Sequence, residues 1–243
     1  MTRFVEPAVL ACPICESPVL KTRLASFNDF GAVYWSDNYA SIVGLGSTGP
    51  IVCCPVCEGM FWTEDAKQLG IMPKYPESLK WSWLRRKLAS DMESVAAAES
   101  AWKSKPDSWD WAGNLQQPRG RELLWALEHV PGSNQEREIF IRTKLWWAGN
   151  APLRGHKSGS PMTTDQEQQN MAALLKLKRG MPPEKRDLLL EGELLREMGC
   201  FEEAISILEA QVTIVGNRAA IPLAKAREKD PVVCEVGRSQ FDF

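Results

Sequence analysis

Seven cysteines, at positions 12, 15, 53, 54, 57, 200 and 234, are the residues of this chain best suited to chemistry. Cys12-Pro13-Ile14-Cys15 and Cys54-Pro55-Val56-Cys57 are two copies of Cys-Pro-x-Cys. A two-residue spacer lets a tight turn aim both sulfurs at one ion, and two such turns complete a tetrahedral site. The expected cofactor is a structural Zn2+ held by Cys12, Cys15, Cys54 and Cys57, with no coordination position left for water. An odd cysteine count, behind a start that does not read as a secretory leader, argues against a disulfide framework. A thioredoxin-type dithiol wants one Cys-x-x-Cys at the start of a helix; here Glu16-Ser17 and Glu58-Gly59 follow the two pairs. Cys53 competes with Cys54 for the fourth place, but only Cys54 preserves the repeat, so Cys53 is read as a strand residue. Cys200 and Cys234 read as small buried apolar residues.

Other chemistry is weakly signalled. The two histidines, His129 at the end of a helix face and His156 in a polar loop, have no sequence-local partner to activate a nucleophile. The acidic residues, among them Glu191, Glu193, Glu197, Glu202 and Glu203, are read as solvated charge along helix faces. Gly44-Leu45-Gly46-Ser47-Thr48-Gly49 matches a dinucleotide-loop pattern, but Pro50-Ile51-Val52 follows where that pattern needs a helix. The first 62 residues carry three basic against five acidic side chains, so a zinc head there would not be basic. Lys80, Arg85, Arg86 and Lys87 beside Trp81 and Trp83 form the one basic and aromatic cluster suited to nucleic acid. Helical spacing places part of it on an apolar face and the rest on an ordinary solvated one.

The elements that must position these residues fall into two textures. Before residue 63, apolar runs at 32–35, 40–43 and 50–53 read as strands, consistent with a zinc ribbon bearing a β-hairpin insertion between its knuckles. After it, helical periodicity prevails. Trp81, Leu84, Leu88, Met92, Val95, Ala98 and Trp102 predict one long amphipathic helix between Pro76 and Pro106. Residues 118–130 and 134–148 predict a helical hairpin, and Thr164 with Glu167 a capping box opening a helix that Gly180 ends. In 183–211, Gly192 is placed where two helices cross and Gly199 at their turn, in the manner of a tetratricopeptide pair, with 217–229 as a cap. Residues 155–163 read as a linker, and Trp109 and Trp111 as packing down within 104–118. Ten tryptophans are expected mainly to fill helix crossings.

A length of 243 residues, 44% hydrophobic and 25% charged, is ordinary globular composition, and no apolar run nears the roughly 20 residues of a membrane span. The expected fold class is α+β, predominantly α: a zinc-ribbon-like β domain over 1–62, then antiparallel helical hairpins of tetratricopeptide type over 63–243. The net charge of −2 provides no general attraction to nucleic acid or anionic lipid. The expectation is a cytoplasmic, noncatalytic binding or adaptor protein whose helical domain meets another protein. A zinc-ribbon nucleic-acid binder is the alternative, ahead of an enzyme.

The order Cys-Pro-x-Cys, Asn28-Asp29-Phe30-Gly31-Ala32, Trp35-Ser36-Asp37, then Cys54 to Trp62 resembles an uncharacterised bacterial family that pairs a zinc ribbon-like head with a tetratricopeptide-like tail. Leu145-Trp146-Trp147-Ala148-Gly149-Asn150 and the stretch from Leu194 to Ala204 are similar as well. The resemblance implies a bacterial, cytosolic setting and the ligand set Cys12, Cys15, Cys54 and Cys57. It implies no substrate.

Overall fold

Strand β1 (Arg3–Ala11) runs into the first Cys-Pro-x-Cys turn and returns as β2 (Pro18–Ser26), with Ala11 opposite Pro18. The computed structural model describes residues 2–42, 49–80, 92–130, 134–157 and 159–239. A second hairpin repeats the device. β5 (Ile51–Cys53) and β6 (Met60–Trp62) pair antiparallel with Cys53 opposite Met60, so the second Cys-Pro-x-Cys forms their turn. Two other short strands, β3 (Val33–Trp35) and β4 (Ala40–Ser41), lie between these hairpins in sequence.

Contacts divide the chain into two compact units, Met1–Asn28 with Gly46–Pro118, and Asp29–Leu45 with Arg119–Phe243. The boundary expected between residues 62 and 63 lies inside the first unit and coincides with none of these three cuts. In the first unit, β7 (Gln68–Ile71) and β8 (Gly113–Asn114) join β1 and β2 in a sheet ordered β7-β1-β2-β8, with only the β2 and β8 pair parallel. Its core contains Ala8, Leu10, Val19, Val52 and Phe61 together with Cys12 and Cys54. The β3–β4 hairpin, expected as an insertion in a zinc ribbon, is a hairpin but pairs instead with β9 (Glu235–Arg238), some 200 residues on, and belongs to the second unit.

Among the described residues there are seven α-helices, and the fold is α+β with helix predominant. α1 (Met92–Ser104) is the later part of the expected long helix; residues 81–91, with Trp81, Trp83, Arg85, Arg86 and Lys87, lie outside the described residues. Trp109 packs on Gly70, but Trp111 is 87% exposed, contrary to the expectation that both pack down. The 3-10 turn Asp107–Trp111 turns its last ring outward. Gly44 to Thr48 of the dinucleotide-loop pattern also lie outside the described residues; strand β5, not a helix, follows Pro50.

In the second unit, α2 (Gly120–His129) and α3 (Gln135–Asn150) form the expected hairpin, α3 being capped by Asn134 Oδ1, which accepts from Arg137 N at 2.9 Å. α4 (Thr164–Arg179) is opened one residue earlier than expected. Thr163 is its N-cap and Gln166 its reciprocal partner, since the chain turns helical at Thr164 itself. α5 (Leu188–Glu197), α6 (Phe201–Val215) and α7 (Asn217–Arg227) follow, and Leu174, Leu194, Ala204, Leu208 and Ala226 are fully buried in their common core. Gly199, at φ 79°, makes the left-handed turn between α5 and α6 that a side chain resists.

Gly192 lies at the crossing of those two helices. A Cβ there would sit 2.8 Å from both Cγ and Cδ2 of buried Leu208. Gly192→Val is therefore expected to destabilise the protein by about 1–3 kcal/mol through overpacking, read as a lower urea midpoint.

Candidate functional site

Each Cys-Pro-x-Cys turn is built by the same bonds. In the first, Cys12 N donates to Ser17 O and Glu16 N to Cys12 O, both at 2.9 Å, while Ile14 N reaches Cys12 Sγ at 3.4 Å. In the second, Cys54 N donates to Gly59 O at 2.9 Å, Glu58 N to Cys54 O at 3.0 Å, and Val56 N to Cys54 Sγ at 3.4 Å. Glu16 and Glu58 occupy matching left-handed positions, at φ 60° and 59°. Proline presets the backbone after the first cysteine, and the left-handed residue after the second bends the chain into its return strand.

The two turns bring Cys12, Cys15, Cys54 and Cys57 together, all four sulfurs lying within 4.8 Å of one another. The closest approaches run between turns: Cys12 to Cys57 is 3.9 Å and Cys15 to Cys54 is 3.8 Å. The cluster includes Cys54, while Cys53 is the last residue of β5. Cys12 and Cys54 are buried and Cys57 is exposed, so the site is half set into the core of its unit. Burial pushes the Cys12 thiol up to about 12, against the backbone bonds around it. The Ser17 hydroxyl and backbone N–H hold Cys15 down to about 6. At Cys57 the Gly59 N–H pulls the thiol down, but burial and neighbouring thiols leave it raised. Four sulfurs at this spacing could together hold a metal ion.

Cys200 is exposed, not buried as expected, because it stands at the N-cap of α6 on the surface. Cys234 is half-buried; its N–H donates to Ser36 Oγ at 3.0 Å. Both histidines are exposed. His129 stacks on Trp125 at 4.5 Å and its Nδ1 donates to Trp125 O.

The glutamates of α5 are the main correction to the sequence reading. Glu191 and Glu193 are fully buried and Glu197 is buried, whereas Glu202 and Glu203 on α6 are solvent-exposed as expected. Guanidinium groups make this burial possible. Arg186 grips Glu191 through Nε at 2.8 Å and Nη2 at 2.5 Å, and Arg196, itself fully buried, grips Glu193 in the same bidentate way. Glu197 meets Trp146 and Asn150 of α3, and Asp37 of the β3–β4 turn meets Asn150 and Arg154. Trp146 and Asn150 belong to the string Leu145 to Asn150, whose indole and amide in an apolar run were the available sign of a buried polar layer.

No family model, curated protein or solved structure matches this chain. No helix among the described residues is long and apolar enough to cross a membrane.

Proposed function

We propose that the protein is a noncatalytic, cytoplasmic binding or adaptor module, with Cys12, Cys15, Cys54 and Cys57 holding one structural Zn2+ and its helical region meeting another protein. The observation that carries the zinc reading is the sulfur spacing. A regular tetrahedron with Zn–S bonds of about 2.3 Å has edges of about 3.8 Å, and the closest cross-turn pairs stand at 3.8 and 3.9 Å. Four thiolates close the coordination sphere, so the ion ties two hairpins together instead of activating water. A reducing compartment suits four free thiols.

The partner reading rests on exposed aromatic rings, which anchor protein interfaces. Trp125 on α2 is 48% exposed and backed by the His129 ring. Tagged, metal-loaded protein is expected to retain an identifiable cellular protein, with Trp125→Ala weakening that complex by about tenfold or more. Salt-sensitive retention of DNA or RNA, with no protein retained, would replace this reading by the nucleic-acid alternative.

A further inference from the structure

Glu197 ends α5, and its hydrogen bonds come from neutral donors. Trp146 Nε1 donates at 2.6 Å, and Asn150 Nδ2 lies 3.0 and 3.2 Å from the two carboxylate oxygens. The same Asn150 nitrogen donates to Asp37 Oδ2 at 3.1 Å, on the turn between β3 and β4. Trp147 Nε1 also holds that turn, donating to Asp37 O at 2.9 Å, and Arg154 in the 3-10 turn Pro152–Arg154 ion-pairs with the Asp37 carboxylate.

Charge counting singles out one carboxyl. The charged groups around Glu197 are Glu193 and Arg196 on its own helix, Asp37 on the turn and Arg154 after α3; Cys234, before β9, faces Glu193 and Arg196. Glu191 is already matched by Arg186. Arg196 is committed to Glu193 and to the carbonyls of Asp230 and Val232, and Arg154 to Asp37. Three buried carboxyl groups thus share two cations, and a low-dielectric interior disfavours the unmatched negative charge.

We propose that Glu197 is held as a neutral carboxylic acid, and that its ionisation draws Asn150 and Arg154 away from Asp37 and loosens the β3–β4 turn from α3 and α5. Unit stability then responds to pH through one clasp. Burial, then the Glu193 charge, push the Glu197 carboxyl from 4.5 up to about 8, against the bonds from Trp146 and Asn150 and the charge of Arg196. The sign follows from linkage. Because the folded value lies above the unfolded one, the contribution is complete below the ordinary 4.5 and is lost as pH rises to about 8.

The test compares thermal unfolding of the full, metal-loaded chain with Glu197→Gln from pH 5 to 9; glutamine retains an acceptor oxygen and cannot ionise. The wild type is expected to lose about 5 °C or more relative to the variant across that range. Parallel pH profiles would overturn the proposal. Hydrogen exchange of residues 35–41 is expected to match between the two proteins at pH 5.5 and to be faster in the wild type at pH 9. Equal protection at pH 9 would remove the loosening step. Should the variant fail to fold, infrared spectra of the wild type decide: a protonated-carboxyl band at pH 7 that fades towards pH 9 supports the neutral acid, and its absence at pH 7 refutes it.

Discussion

Protein purified without added metal or chelator is expected to carry about one Zn2+ per chain, and Cys54→Ser to lower that to near zero. The double replacement of Cys12 and Cys15 should do the same, because each turn supplies half of the sulfur set. The structural cost is expected to be large. Buried Cys12 and Cys54 are members of the core that includes Leu10, Val19, Val52 and Phe61, so losing the ion leaves the junction of two hairpins to a small apolar cluster. A structural zinc in peptide-sized domains contributes on the order of 10 kcal/mol, enough to decide whether such a unit folds. Acid should release the ion, since each thiolate must then compete with a proton. Cys200→Ser and Cys234→Ser are expected to leave metal content unchanged, both residues lying outside the cluster. Visible absorption from bound iron would keep the four ligands but change the ion. Metal-free, folded protein with four titratable thiols would overturn the site.

Arg196→Met is expected to destabilise the protein by about 3–5 kcal/mol, the usual cost of leaving a buried charge without its partner. Both Arg196 and Glu193 are fully buried, and the guanidinium also satisfies the carbonyls of Asp230 and Val232 beyond α7. Methionine fills much of the volume, so the loss reports on Glu193 and the carbonyls more than on a cavity. Replacing both Arg196 and Glu193 by apolar residues should recover part of the loss. Urea unfolding of the metal-loaded forms measures the cycle, and a single variant within about 0.5 kcal/mol of the wild type would refute the account.

Much of the cysteine cluster was legible because its determinants are local. Each Cys-Pro-x-Cys turn is closed by hydrogen bonds spanning four or five residues, and a chemical repeat reveals two turns of one kind. Helix limits were legible for the same reason, with Asn134 and Gly199 marking ends, and the cap at Thr163 missed by one residue. Gly192 was readable as a crossing because a missing side chain in an otherwise apolar helix implies a close neighbour, here Leu208.

By itself, the sequence determined the four sulfurs, the two turns that aim them, and a predominantly helical chain after them. Only the tertiary structure decided where the β3–β4 hairpin belongs, since a strand's periodicity names a buried face and not its partner, and that partner is β9. It alone decided the state of the α5 glutamates as well. Glu191, Glu193 and Glu197 have the spacing and chemistry of a solvated helix face; Arg186 and Arg196, five and three residues away, compensate Glu191 and Glu193, whereas the hydrogen-bond partners of Glu197 come from elsewhere in the chain. Asn150 reaches Asp37 across 113 positions and Glu197 across 47. Charge can be buried only where a partner arrives, and partners distant in sequence are brought together by folding alone.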